Sequence, residues 1–112
     1  MSYIIPKENI RRENTYLFQG GEYGGVPIAF FWLSTAPGRG VSLHKHPYEE
    51  TFVLQKGQAT FTVGDETLEV HGEVIIIVPS NTPHKFINSG EEPLQMLAIH
   101  ANKEVITEWL ED

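Results

Sequence analysis

The sequence predicts an all-β fold, a small antiparallel barrel or sandwich, on two observations. Nine short segments rich in β-branched and aromatic residues follow one another at intervals of about 8–12 residues. Turn-forming residues separate them, at Gly20-Gly21, Gly24-Gly25, Pro37-Gly38, Lys56-Gly57, Gly64-Asp65, His71-Gly72, Asn81–Pro83 and Ser89-Gly90. At 112 residues and 40% hydrophobic composition, the chain has material for one domain, residues 1–112, around a modest core.

The segments run in order as Tyr16–Phe18, Ile28–Ser34, Val41–His46, Glu50–Leu54, Ala59–Val63, Thr67–Val70, Val74–Val78, His84–Asn88 and Leu94–His100. The barrel core is therefore expected over about residues 28–100. Only the end reads as helix, over about 103–111. Asn102 suits an N-cap, Glu104 lies in the first turn, and Val105, Ile106, Trp109 and Leu110 recur at helical spacing. Two segments are apolar on both faces, Phe30–Leu33 and Val74–Val78. An antiparallel strand with one wet face alternates, so these predict cover on both sides. The N-terminal arm, the C-terminal helix or a second subunit can supply it, and the shortness of the chain favours a homodimer.

Charge narrows the partners. Eight Lys+Arg against fifteen Asp+Glu give a formal charge of −7. Such a surface repels phosphate backbones, so nucleic acid is not expected as a partner. No stretch reaches the roughly 20 apolar residues of a membrane helix, and Met1–Asn14 lacks the apolar core of a signal peptide. The expectation is a soluble, cytoplasmic protein with no membrane partner. There are no cysteines, which excludes disulfides, thiolate metal sites and a cysteine nucleophile. Any metal must be held by the five histidines and the carboxylates.

One stretch concentrates that chemistry: Gly38-Arg-Gly-Val-Ser-Leu-His44-Lys-His46-Pro-Tyr-Glu-Glu50, leading on to Gly57. His44 and His46, two apart on a strand, leave the same face. Pro47 ends the strand and the chain turns back into Glu50. A third imidazole, His84, begins a distant strand after the turn Pro79–Pro83. Three neutral nitrogens and one carboxylate suit a divalent transition metal, namely iron, nickel, manganese, cobalt, copper or zinc. Calcium and magnesium prefer oxygen-rich shells.

The spacing G-x5-H-x-H-x3-E-x6-G from Gly38 to Gly57 resembles the first motif of the cupin superfamily at every fixed position. Gly72 to Asn88 is similar to the second, G-x5-P-x-G-x2-H-x3-N, through Pro79, His84 and Asn88. It departs twice. One extra residue lies between Gly72 and Pro79, which predicts a bulge and puts the pairing of Val74–Val78 in question. Asn81 stands in the usual glycine place, and Asn tolerates positive φ. The resemblance is to small single-domain cupins of the quercetinase type. It implies a double-stranded β-helix (jelly roll) whose matching residues His44, His46, Glu50 and His84 bind one metal inside the barrel, with positions left open for water, substrate or dioxygen.

Alternation sorts the neighbours. With the ligands inward, Ser42, Phe52, Leu54 and Phe86 also point inward, while Val41, Leu43, Lys45, Thr51 and Lys85 point outward. Ser42, Phe52 and Phe86 are candidates for the substrate pocket, though the two phenylalanines read equally as barrel core. Glu50 and His100 are the candidates for proton transfer. His100 ends the last strand and either overlooks the metal or bonds to backbone there. His71 reads as surface, and Tyr48 sits in the turn at the mouth, bonded to Glu49 or to substrate.

Three functions fit a small-molecule site of this kind. The first is a metal-dependent dioxygenase acting on an enol, phenol or flavonoid-like molecule, with Glu50 as base. The second is an isomerase, epimerase or lyase on a small polyol or keto acid. Phosphosugars are disfavoured within it, because only Arg39 lies near the mouth to clamp a phosphate. The third is a small-ligand-binding module without turnover.

Overall fold

A computed structural model of the chain describes residues 3–112. Among them the strands are β1 (Arg11–Arg12), β2 (Thr15–Gln19), β3 (Ala29–Thr35), β4 (Gly40–Lys45), β5 (Glu50–Lys56), β6 (Gln58–Val63), β7 (Glu66–His71), β8 (Val74–Val78), β9 (His84–Asn88), β10 (Leu94–His100) and β11 (Glu108–Trp109). They form two antiparallel sheets, ordered β1-β2-β3-β10-β5-β8 and β11-β4-β9-β6-β7. The core lies between the sheets.

Alternation builds that core. Along β5, Glu50, Phe52 and Leu54 are buried while Thr51 and Val53 are only partly so. Leu94, Met96, Ala98 and His100 bury the same face of β10, and His84, Phe86 and Asn88 that of β9. This is the two-residue period of a pleated strand with one face inward. The inward side chains of the two sheets meet in one cluster centred on Phe52, Phe61 and Phe86. The Phe52 ring meets Phe61 edge-on at 4.9 Å, and Phe61 stacks on Phe86 at 5.4 Å, geometries that aromatic quadrupoles favour.

The six-stranded sheet is apolar outside as well. Strand register lines up Tyr16, Trp32, Leu97, Val53 and Ile75 as one outer row, and Phe18, Phe30, Ile99, Thr51 and Ile77 as the next. Part of this face is covered from within the chain. The Lys7 ammonium lies 4.5 Å and 4.3 Å from the ring centroids of Tyr16 and Trp32, and Phe18 stacks between Tyr23 and Phe30. At the other edge, Ile75 and Ile77 on β8 remain 66% and 67% exposed.

Three expectations are corrected. Residues 103–111 do not form the short C-terminal helix. They run extended, and β11 pairs with β4 through Glu108 opposite Lys45 and Trp109 opposite His44. Asn102 caps no helix; its amide donates to the Glu104 carbonyl. The reason is competition. A helix that short is marginal alone, whereas the edge of β4 offers main-chain partners. The Leu110 N–H donates to the Leu43 carbonyl, and the Leu43 N–H donates to the Glu111 carboxylate.

Ser42 is not an inward pocket residue. Its hydroxyl donates to the Asp112 carbonyl, on the side away from the metal donors, and Val41 lines the interior cavity instead. A bulge explains the exchange, because Val41 pairs with Phe86 but His44 with His84, three steps against two. Alternation counted back from His44 fails across it. Gly40 begins this strand where a Cβ would lie only 1.9 Å from the Phe86 carbonyl oxygen, so the close approach of β4 to β9 requires glycine. Finally, the extra residue after Gly72 does not bulge β8. Glu50 to Leu54 pair with Val78 to Val74 in unbroken register, and the turn before β8 places Gly72 at φ +75°. Asn81 does adopt positive φ, at 59°.

Candidate metal centre

Five side chains converge at one end of the barrel. His44 lies at the end of β4 and His46 just beyond it, Glu50 begins β5, His84 begins β9 and His100 ends β10. Register makes two cross-strand pairs of four of them, His44 opposite His84 in one sheet and Glu50 opposite His100 in the other. All five are at most 6% exposed. One donor atom each from His44, His46, Glu50 and His84 lie within 4.8 Å of one another. The fifth histidine, His71, is exposed on β7.

Hydrogen bonds set which nitrogen of each ring faces the centre. Nδ1 of His44, His46 and His84 lies 2.7, 2.8 and 2.8 Å from the carbonyl oxygens of Ser42, Ile106 and Thr82. A carbonyl only accepts, so each Nδ1 carries the proton and Nε2 turns its lone pair inward. There Glu50 Oε1 stands 3.0 Å from Nε2 of His46 and 2.8 Å from that of His84. The contact with His46 lacks hydrogen-bond geometry, leaving a buried nitrogen unpartnered. Lone pairs and a carboxylate packed together out of water call for a positive charge among them. Three Nε2 atoms and one carboxylate oxygen can hold one divalent transition metal, and backbone carbonyls orient the imidazoles for it.

Glu50 is the electrostatic hub. Burial pushes its carboxyl up, but the histidines packed against it, His100 foremost and then His46 and His84, outweigh this and hold it well below the usual carboxylate range. Burial likewise lowers His44, so its neutral, ligating form persists below the ordinary histidine range. His100 stands behind the carboxylate, with Nε2 3.2 Å from Glu50 Oε2 and Nδ1 2.7 Å from the Tyr48 hydroxyl. Of the two settings weighed for His100, the cavity-facing one is observed. Tyr48 bonds to His100 and not to Glu49, and its hydroxyl also accepts from the Ile106 N–H.

A cavity of about 310 Å³ adjoins the donors, walled by Phe31, Leu33, Val41, Phe52, Phe86 and Trp109. Phe52 and Phe86 therefore serve both core and cavity. A wider depression of about 840 Å³ beneath the N-terminal arm shares no lining residue with it. Among the contributors that escape sequence reasoning are Thr15, Thr107 and Trp109. Thr107 Oγ1 sits 3.3 Å from His46 Nδ1, and the Trp109 ring 5.0 Å from that of His44. The helical-looking spacing around Trp109 concealed an extended strap, and no spacing rule ties a C-terminal segment to a histidine 60 residues earlier.

Two outcomes test this geometry. His84→Ala is expected to reduce bound metal from about one ion per chain to near none, measured by elemental analysis beside the unaltered protein; equal content refutes the donor set. Deleting residues 105–112 removes the Ile106 carbonyl from His46. It is expected to weaken metal binding about 10–100-fold in competition with a chelator, with circular dichroism checking that the sheets persist.

Comparison with known proteins places the chain. Residues 31–100 match the family described as "Cupin domain". Auxin-binding protein 1 of Arabidopsis thaliana is 31% identical over 107 residues, covering 85% of this chain and 54% of the plant protein. The oxalate decarboxylase of Bacillus subtilis, a protein with Mn(II) centres, superposes with a TM-score of 0.78 at 25% identity, over 90% of this chain and 29% of its own. A double-stranded beta-helix protein from Klebsiella pneumoniae superposes over the whole of both chains, with a TM-score of 0.76 at 19% identity. The chain thus spans about half of the plant relative and less than a third of the decarboxylase. With the double-stranded β-helix and a donor set of three histidines and one glutamate in place, this chain belongs to the cupin family.

Proposed function

We propose that the protein is a metal-dependent oxidoreductase of the dioxygenase type, acting on an enol, phenol or flavonoid-like small molecule. The observation that carries this reading is the juxtaposition of an apolar, aromatic-walled cavity with a buried centre of three histidines and one glutamate. No Lys or Arg lines that cavity among the described residues. A small dianion such as oxalate, or a phosphosugar, would lack a cationic clamp there, whereas a flat apolar molecule with one ionisable oxygen suits it. The metal would supply a Lewis-acid anchor for that oxygen and an electron route to dioxygen.

The chain's own residues would do the rest. Glu50 takes the proton of the substrate hydroxyl. It lines the cavity at the donor end, and burial by itself favours the protonated form of a carboxyl there. His100, anchored by Tyr48, holds the second carboxylate oxygen in line. Phe31, Phe52 and Trp109 orient the ring and exclude water.

The likeness to an auxin-binding protein favours one further reading, a small-ligand binder without turnover. One experiment separates the two. Metal-loaded protein is expected to consume 3-hydroxyflavone or a related enol in air and to stop under argon. Undiminished anaerobic turnover overturns the dioxygenase reading, and metal-dependent binding without product supports the binder.

The same proposal includes a homodimer in the cytoplasm. Two registered apolar rows ending at Ile75 and Ile77 favour a second copy of the chain on the outer face of the six-stranded sheet. Light scattering is expected to give twice the chain mass, and Ile77→Glu to shift it to one. A monomeric unaltered protein overturns the dimer.

A further inference from the structure

The geometry points to Thr15 as the residue that selects the far end of an elongated substrate, one with a metal-binding oxygen at one end, an apolar body and a second oxygen at the other. The inference rests on the cavity being the substrate site of the preceding reading, and it adds the requirement for a distal polar group.

Thr15 begins β2 and lines the cavity. It lies two residues from buried Leu17, so both side chains point inward. Its hydroxyl oxygen is enclosed, yet it has no hydrogen-bond partner. Buried hydroxyls ordinarily find one, and leaving one unmade costs stability. Valine has the same branched shape and strand preference and would fill this place without that cost. Among the described residues, the other buried side-chain atom without a partner is His46 Nε2, a candidate metal donor. Both residues line the same cavity.

Strand register gives the offset of Thr15 from the metal end along β2. Gln19, Ala29, His100 and Glu50 share one ladder row at the metal end. Leu17, Phe31, Ala98 and Phe52 form the next inward row and supply the apolar middle. Thr15 lies two residues further along β2, four from Gln19, or about 13 Å at roughly 3.3 Å per residue. A single small acid cannot bridge that offset, and an elongated molecule with a metal-binding oxygen at one end is required. A shallow outer depression, rimmed by Arg11 and Arg12, shares Thr15 and Phe31 with the cavity. The distal group would therefore lie near the only adjacent pair of Lys or Arg residues in the sequence.

The test uses protein loaded with Zn(II), which blocks oxidation, and two probes that differ only at the far end: 4′-ethyl-3-hydroxyflavone and 3-hydroxy-4′-(hydroxymethyl)flavone, whose second oxygen reaches further than a 4′-hydroxyl. The full-length protein is expected to bind the second about tenfold more tightly, the value of one added buried hydrogen bond. Thr15→Val is expected to lose that preference, while Thr15→Ser keeps it. Equal binding by the unaltered protein, or a preference that survives Thr15→Val, overturns the inference. A second arm needs no ligand. Thr15→Val is expected to raise the thermal midpoint of the ligand-free protein, because it removes an unpartnered buried hydroxyl. A lowered midpoint shows that the hydroxyl has a structural partner and also overturns it. Failure of the metal-loaded protein to bind either flavone counts instead against the enol reading, and the thermal arm then decides on Thr15.

Discussion

Glu50 is a carboxylate taken out of water at the end of a small barrel, and the surrounding structure is arranged to make that tolerable. Taken alone, such a group would protonate or disrupt the fold. Three imidazoles lie against its two oxygens, and their own outer nitrogens are held by main-chain carbonyls or by Tyr48. The pairings of β4 with β9 and of β5 with β10 bring these groups to one level. A register slip of one residue in either pair would send a donor to the opposite face.

That dependence extends to the C-terminal segment. The residues after β10 hold His46 through Ile106 and cover His44 with Trp109. The Gln19 side chain anchors them at the Val105 N–H and Tyr48 at the Ile106 N–H. The strap thus joins the donors to elements they do not otherwise touch. Metal affinity and C-terminal docking become two views of one equilibrium, since each stabilises the geometry the other needs.

Polar and apolar surfaces are distributed with similar economy. Among the described residues, the buried side-chain atoms without a partner are Thr15 Oγ1 and His46 Nε2, both on residues lining the same cavity. Asn88 shows the contrast. It donates to the carbonyls of Thr35 and Glu92 and accepts from the Gly90 N–H, fastening the end of the barrel away from the donors. Outside, the six-stranded sheet keeps the apolar rows that the unalternating segments Phe30–Leu33 and Val74–Val78 foretold, and Lys7 and Tyr23 screen only the β2–β3 end.

Nine of the eleven strands among the described residues, β2 to β10, together with the sheet class and the four donors, were legible in the amino-acid sequence, because these rest on local rules. Alternation, turn residues and a fixed spacing of His44, His46 and Glu50 act over a few residues, and the second motif adds His84. Even the departure at Asn81 was legible, since its positive φ is a property of one residue. The rest came from pairings between distant parts of the chain. The bulge between Val41 and His44 arises from pairing with β9 and reversed Ser42 and Val41. The helical pattern of Val105 to Leu110 gave way to the open edge of β4, because main-chain bonds to a formed sheet outweigh the weak propensity of a short helix. Whether His100 faced the metal end depended on a partner far along the chain, Glu50, across the pairing of β10 with β5. Contacts of that range leave no trace in local spacing, so beyond Phe52 and Phe86 the walls of the cavity became visible only once the sheets had closed around it.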